Sequence, residues 1–235
     1  EEQIARHFPA LRAVFYAAGS VQYFARPFLD RGVRLFSGWQ ANAVPVVQYT
    51  LAQILLATKG YFRVQPLTRV DRAAAHRLFD RYPGNYGVRI GLLGAGAIGS
   101  RIAELLRPMD FEVLVFDPFL SDARARELGV IKSSLAEIFK SCFVLSNHLA
   151  NLPETVGIIK REHLLSMPPY ATFINTGRGP QLDETDLYDA LTQDVTCTAL
   201  LDVMTEEERS DENPLNQLPN CLITPHIAGA SGLEV

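Results

Sequence analysis

"GLLGAGAIGSRIAELLRPMDFEVLVFDPF", from Gly91 to Phe119, is the stretch whose reading decides the fold. Its glycines can be a tight turn and nothing more, or a turn that holds a nucleotide. The apolar run "VRIGLLG" ahead of them predicts a strand, and Ala97–Leu106 predicts a helix that starts at the glycines. "FEVLVFD" predicts a second strand, which closes on Asp117, 18 residues after Gly99. Strand, glycines, helix, strand and acid in that order make a dinucleotide-binding βαβ unit.

Each residue type has a physical reason. Gly94 permits the tight turn, Gly96 lets the backbone approach a pyrophosphate, and Gly99 lets helix and strand pack closely. The free N–H groups around Ala97 and Ile98, together with the helix dipole, favour an anion. Asp117 can accept hydrogen bonds from both ribose hydroxyls of NAD. A 2′-phosphate at roughly 4 Å would meet like charge at a cost of about 4 kcal/mol at an effective dielectric near 20. The next residues, Pro118 and Phe119, offer no cation to relieve it, so NAD is expected and NADP is not.

The rest of the chain supplies the remaining layers. "CFVLSNH", "ATFINTG", "CTALLDV" and "CLITPH" predict strands, alternating with the helical stretches "SLAEIFK", "REHLLSMP" and "DETDLYDALTQ". That alternation specifies an α/β, Rossmann-type doubly wound parallel sheet with helices on both faces. Upstream, "LRAVFYAAG" predicts a strand, and Pro27–Gly38 a short helix stopped at Gly32 and then another strand. Ala43 to about Phe79 is apolar and Ala-rich, with Pro45 suited to a helix's first turn and Pro66 marking a break or kink.

Composition excludes several classes. With 22 basic against 26 acidic residues the net charge is −4 and no basic run occurs, so no nucleic-acid partner is expected. Cys142, Cys197 and Cys221 stand apart without CxxC spacing, which argues against a metal site or a disulfide framework and fits a reducing compartment. No apolar stretch approaches a membrane span, and the expected location is the cytoplasm.

Three downstream stretches bear on chemistry: "FINTGRGPQLDETDLYDAL" (Phe173–Leu191), "ALLDVMTEEE" (Ala199–Glu208) and "NCLITPHIAGAS" (Asn220–Ser231). Arg178 and His226 each follow the carboxyl end of a predicted strand, the edge where an open α/β sheet binds its ligand. Either residue alone is more often a surface residue or a cap. A histidine steadied by a carboxylate suits proton transfer near neutral pH. A planar, always-charged guanidinium suits bidentate binding of a carboxylate.

In the order GxGxxG then Asp, N-x-x-R-G, D-V followed by an acid, and T-P-H-I-A-G, the chain resembles the D-isomer-specific 2-hydroxyacid dehydrogenases from about Leu11 to Ser231. The resemblance implies an NAD-dependent dehydrogenase acting on a small 2-hydroxy or 2-oxo acid. Arg178 would bind the substrate's carboxylate and carbonyl, His226 would donate the proton, and an acid would orient it. Spacing from Asp202 to "NPL" selects Glu207 as that acid. The family usually has proline where Glu208 stands here, which leaves Glu206 and Glu208 as alternatives. Ala18, Gly19 and Ser20 correspond to the loop that clasps the substrate carboxylate. Cofactor contacts would include Gly94, Gly96, Ala97, Ile98, Gly99, Asp117, Thr176, Gly177, Asp202 and Gly229.

The resemblance further implies a homodimer joined through the Ala43–Phe79 region, with residues 42–235 as the NAD-binding domain. Residues 1–41 would be the remnant of a smaller flavodoxin-like substrate domain, with further segments expected beyond both ends. Ala150 replaces the proline of the family's H-x-P, Gln48 stands where Glu is common, and His148 is expected near the nicotinamide side or in a structural role. The alternative reading is an NAD-sensing binding protein, like the family's transcriptional co-repressors, which keep the Arg, Glu and His.

Overall fold

The protein is described from a computed structural model covering residues 7–207 and 212–230, so Glu208 lies outside the described residues. The chain divides into two compact units, one running to Val46 and resuming at Gly229, the other spanning Val47–Ala228.

In the first unit β1 (Ala13–Tyr16), α1 (Arg26–Leu29) and β2 (Arg34–Ser37) form a parallel βαβ unit. Phe15 lies opposite Phe36, and their rings stack at 4.8 Å on an exposed face. The Ser37 hydroxyl donates to the carbonyls of Ala18 (3.2 Å) and Gly19 (2.5 Å), fixing the turn after β1.

The long helix α2 (Trp39–Ala57) begins in the first unit and ends in the second. Pro45 lies in its interior and not in its first turn, because the helix starts upstream, with Asn42 N donating to Gly38 O. The apolar stretch after it breaks into α3 (Tyr61–Thr68) and α4 (Arg72–Phe79). Gly60 takes a left-handed φ of 67° at the first break, and Asp71 caps the second by accepting from Ala74 N.

The second unit then alternates strand and helix: β3 (Val88–Leu93), α5 (Ala97–Leu106), β4 (Phe111–Phe116), α6 (Asp122–Leu128), β5 (Ile131–Lys132), α7 (Leu135–Ser141) and β6 (Val144–Asn147). It continues through α8 (Arg161–Leu165), β7 (Thr172–Asn175), α9 (Glu184–Gln193), β8 (Thr198–Leu201) and β9 (Cys221–Ile223). The seven strands pair in the order β5-β4-β3-β6-β7-β8-β9, all parallel. The doubly wound α/β sheet expected from the sequence is therefore present. β5 was not expected: its two residues are exposed and carry no apolar signal.

Both faces of the sheet are covered, and the side chains divide with the period of two that a pleated strand imposes. Leu93, Leu145, Phe173 and Ala199 face α7, α8 and α9, where Phe139, Leu164 and Leu187 are buried. Ile90, Leu92, Ile174 and Leu200 face the other way, against Ile54, Ile102 and Leu128. Each large aliphatic side chain buried this way contributes about 1.5–3 kcal/mol. Side-chain oxygens of Ser121, Ser134 and Asp183 cap α6, α7 and α9, each cap being worth about 1 kcal/mol.

Helix α7 packs tightly on the sheet at Gly91, where a β-carbon would lie 2.3 Å from Ile138 Cγ2 and 3.2 Å from Cys142 Sγ. Gly91→Ala should cost about 1–3 kcal/mol by overpacking in urea unfolding. Combined with Ile138→Ala, the loss should be smaller than the sum of the two single losses. Additive losses would show that Ile138 does not set the limit.

Candidate active site

All seven strands run parallel, so their carboxyl ends meet at one edge, and the sequence order reverses between β3 and β6. Such a switch point opens a crevice. The turn from β3 into α5 lies there. Gly94 has φ 96°, and a β-carbon on it would stand 2.6 Å from His148 O. A β-carbon on Gly99 would stand 2.0 Å from Gly94 O. These two glycines are required by the packing of turn, helix and β6. Gly96 differs: nothing lies within 4 Å of where its β-carbon would be. The turn is tight behind and open in front, at the amino end of α5 where Ala97 and Ile98 begin the helix.

Asp117, just past β4, ties the turn down. Its Oδ2 accepts from Ala95 N at 2.7 Å and its Oδ1 from Phe119 N at 2.8 Å. A carboxylate offers about four lone-pair sites, so acceptor capacity remains for a ligand's hydroxyls.

After β7, Thr176 is buried and its hydroxyl meets that of Thr50 at 3.1 Å. Gly177 N donates to Asn175 Oδ1, and a β-carbon on Gly177 would crowd Asn147 Nδ2 at 2.9 Å. Two buried amides grip the backbone of Arg178: its N–H donates to Gln181 Oε1, and its carbonyl accepts from Asn175 Nδ2. Asn147 Nδ2 links the two by donating to both Gln181 Oε1 (2.7 Å) and Asn175 Oδ1 (3.0 Å). The Arg178 guanidinium donates to Gly177 O at 2.6 Å.

After β9 the chain turns sharply. His226 has φ 54°, uncommon for a residue with a side chain. The buried carboxylate of Asp202, at the end of β8, holds this turn. Its Oδ1 accepts from Thr224 Oγ1 (2.6 Å) and Ile227 N (2.9 Å), and its Oδ2 from Ala228 N (2.8 Å). The turn presents the half-exposed His226 ring, whose Nδ1 lies 2.9 Å from Glu207 Oε2. Sequence reasoning had no signal for Thr224 or for the amide trio, because hydroxyls and amides read as ordinary turn or strand residues until their partners are known.

Gly229 belongs to the first unit, where a β-carbon would lie 3.0 Å from Asn42 Oδ1, the acceptor for Ala230 N. In the same unit the Ala18–Ser20 turn hangs from Ser37. His148 is buried, with Nε2 2.8 Å from Ser146 Oγ, and burial pushes its imidazole down to about 3. Burial pushes all three cysteine thiols up to about 12. Among the described residues no cluster of His, Cys, Asp and Glu could hold a metal ion, and no helix is long and apolar enough to cross a membrane.

The model of the family described as "D-isomer specific 2-hydroxyacid dehydrogenase, NAD binding domain" matches residues 51–228. A D-3-phosphoglycerate dehydrogenase of Synechocystis sp. is 35% identical over 208 residues, 87% of this chain and 36% of its own length. Its counterpart in Bacillus subtilis is 31% identical over 205 residues, 86% of this chain and 38% of its own. The chain thus spans under two fifths of the length of these relatives. The crystal structure of the TT0316 protein from Thermus thermophilus superposes with a TM-score of 0.76 at 27% identity, covering 97% of this chain and 72% of that one.

Asp202→Asn keeps the shape of the side chain but turns an amide N–H₂ toward donors. It should destabilise the protein by about 1–3 kcal/mol in urea unfolding, and a loss within error would mean the β9 turn holds itself. His148 predicts a pH dependence. An unfolded imidazole takes a proton near pH 6.5 and the buried one only near 3, so the unfolded chain binds the extra proton between those limits. Stability should fall as pH drops through that window, by up to about 1.4 kcal/mol per pH unit. His148→Leu should flatten that slope, and an unchanged slope would assign it to other groups.

Proposed function

We propose a reaction for a chain that belongs to the family of D-isomer specific 2-hydroxyacid dehydrogenases, whose NAD-binding domain it carries: the NAD-dependent interconversion of a D-2-hydroxy acid and its 2-oxo acid. The observation that carries this reading is the His226 Nδ1–Glu207 Oε2 hydrogen bond of 2.9 Å, made by a histidine whose turn is anchored on Asp202.

The residues fit the cofactor. Gly96 leaves open space where a pyrophosphate would approach, while Gly94 and Gly99 are closed by their own packing. Ala97 and Ile98 supply N–H groups at the start of α5, and Asp117 keeps acceptor capacity for ribose hydroxyls. Thr176, Gly177, Asp202 and Gly229 are assigned to the same cofactor. When bound in reduced form, NAD supplies the hydride.

The chain's own residues do the rest. Arg178 binds the substrate carboxylate and polarises the carbonyl, its backbone gripped by Gln181 and Asn175. With Nδ1–H donated to Glu207, the Nε2 of His226 is the nitrogen that hands a proton to the carbonyl oxygen, leaving a hydroxyl on the product and a neutral ring. Ala18, Gly19 and Ser20 are assigned to the substrate carboxylate. With the carbonyls of Ala18 and Gly19 turned to Ser37, the N–H side of that turn is the side a carboxylate would approach. In the same reading residues 1–41 belong to the substrate domain, the protein works in the cytoplasm, and it forms a homodimer. The exposed Leu56, Tyr61, Val70 and Phe79 on and around α2–α4 favour that pairing face.

Oxidation of NADH by the full-length protein on a panel of small 2-oxo acids, followed by its absorbance, tests the proposal. One substrate should turn over, and His226→Ala should lose about 10²–10⁴ in kcat while NADH affinity by fluorescence is retained. NADH binding without turnover on any 2-oxo acid would sink the dehydrogenase reading in favour of an NAD-sensing protein.

A further inference from the structure

We infer that Glu184 is a positioning residue that keeps Glu207 within reach of His226, an inference that rests on the role proposed above for that pair. Glu184 stands at the first position of α9, where an acid is ordinarily read as a complement to the helix dipole. The capping work there is done by its neighbour, since Asp183 Oδ1 accepts from Thr185 N at 2.8 Å. The half-buried Glu184 carboxylate points elsewhere. Its Oε1 accepts from Thr205 N at 2.6 Å, and its Oε2 accepts from Asn213 Nδ2.

Thr205 and Asn213 bracket the segment that carries Glu207. One carboxylate therefore holds the backbone at Thr205, two residues before Glu207, and also the side chain of Asn213. A second contact fixes the same place. A β-carbon on Gly179 would stand 2.1 Å from Met204 C and 2.3 Å from Thr205 N, so the backbone ahead of Glu207 lies directly on the glycine that follows Arg178. The short segment from Arg178 to Glu184 thus sets the place of two side chains: Arg178 itself, and Glu207 through the clamp.

The chemistry of the clamp is specific. Two donors, a backbone N–H and an amide N–H₂, face two carboxylate oxygens. Asn213 cannot turn its amide over, because its Oδ1 accepts from Leu215 N at 3.0 Å. E184Q therefore sets an N–H₂ group against one of the two donors, and N213D sets two carboxylates face to face. In the double variant E184Q/N213D the introduced amide donates to the introduced carboxylate, both backbone N–H groups keep an acceptor, and the total charge is unchanged.

The test compares wild type, both single variants and the double variant in the full-length protein, with the His226 ring tautomer read by ¹⁵N NMR without substrate. The wild-type ring should hold its proton on Nδ1. E184Q should show a mixture of tautomers and, on a 2-oxo acid that turns over, a kcat lower by about 10–100-fold. The double variant should regain both the tautomer and the rate. E184Q with the wild-type tautomer and a kcat within about twofold would overturn the inference, as would a double variant that restores nothing. Where E184Q does not fold, the double variant decides alone: folded with the wild-type tautomer it supports the clamp, and otherwise it refutes it. The tautomer needs no turnover, so failure of the clamp and failure of the dehydrogenase reading give different results.

Discussion

A parallel strand can be followed only by a crossover, and this constraint organises everything else in the larger unit. With seven strands parallel, every strand-to-helix turn falls at one edge, and residues far apart in the chain come to neighbouring positions there. Strands lie about 4.8 Å apart, so the ends of β7 and β9 are roughly 10 Å apart with β8 between them. Arg178 follows β7, Asp202 follows β8 and His226 follows β9. The middle strand contributes the anchor for its neighbour's turn, and the outer two carry the groups suited to chemistry.

How much of this can be read from sequence depends on how far the cause lies from its effect. Gly94 and Gly99 are legible because their spacing marks a turn that enters a helix, and Asp117 because it ends the adjoining strand. Strands whose faces are both buried announce themselves by short apolar stretches, as Val144–Leu145, Phe173–Ile174 and Ala199–Leu201 do. β5 escapes notice because it is two exposed residues placed by its neighbour β4. Glu184 escapes for a related reason. At a helix start its local meaning is sufficient, and its real partners lie 21 and 29 residues away. His148 was legible as a residue near the nicotinamide side or in a structural role, and its burial is a tertiary fact.

The edge is also where local cost is concentrated. His226 sits at φ 54°, a conformation whose cost is of order 1–3 kcal/mol for a side chain of its size. The three hydrogen bonds of the Asp202 carboxylate offset it, and each bond to a charged group contributes about 1.5–3 kcal/mol. The strained turn aims the ring outward, while its rigidity comes from a buried charge one strand away. Glu207 lacks such burial, and the backbone just ahead of it is held from outside, by Gly179 beneath and by Glu184 at Thr205.

The three glycines of the β3–α5 turn are held for unequal reasons. Gly94 and Gly99 answer to folding itself, since a methyl group at either collides with backbone. Gly96, with open space before it and φ −70°, answers to nothing inside the protein. A descendant gene released from selection for ligand binding would keep the first and third glycines as long as it kept its fold, and would let the second drift at once. On the cofactor role proposed for Gly96, position 96 is therefore a clock, across duplicated copies of this chain, for a loss of function that leaves stability untouched.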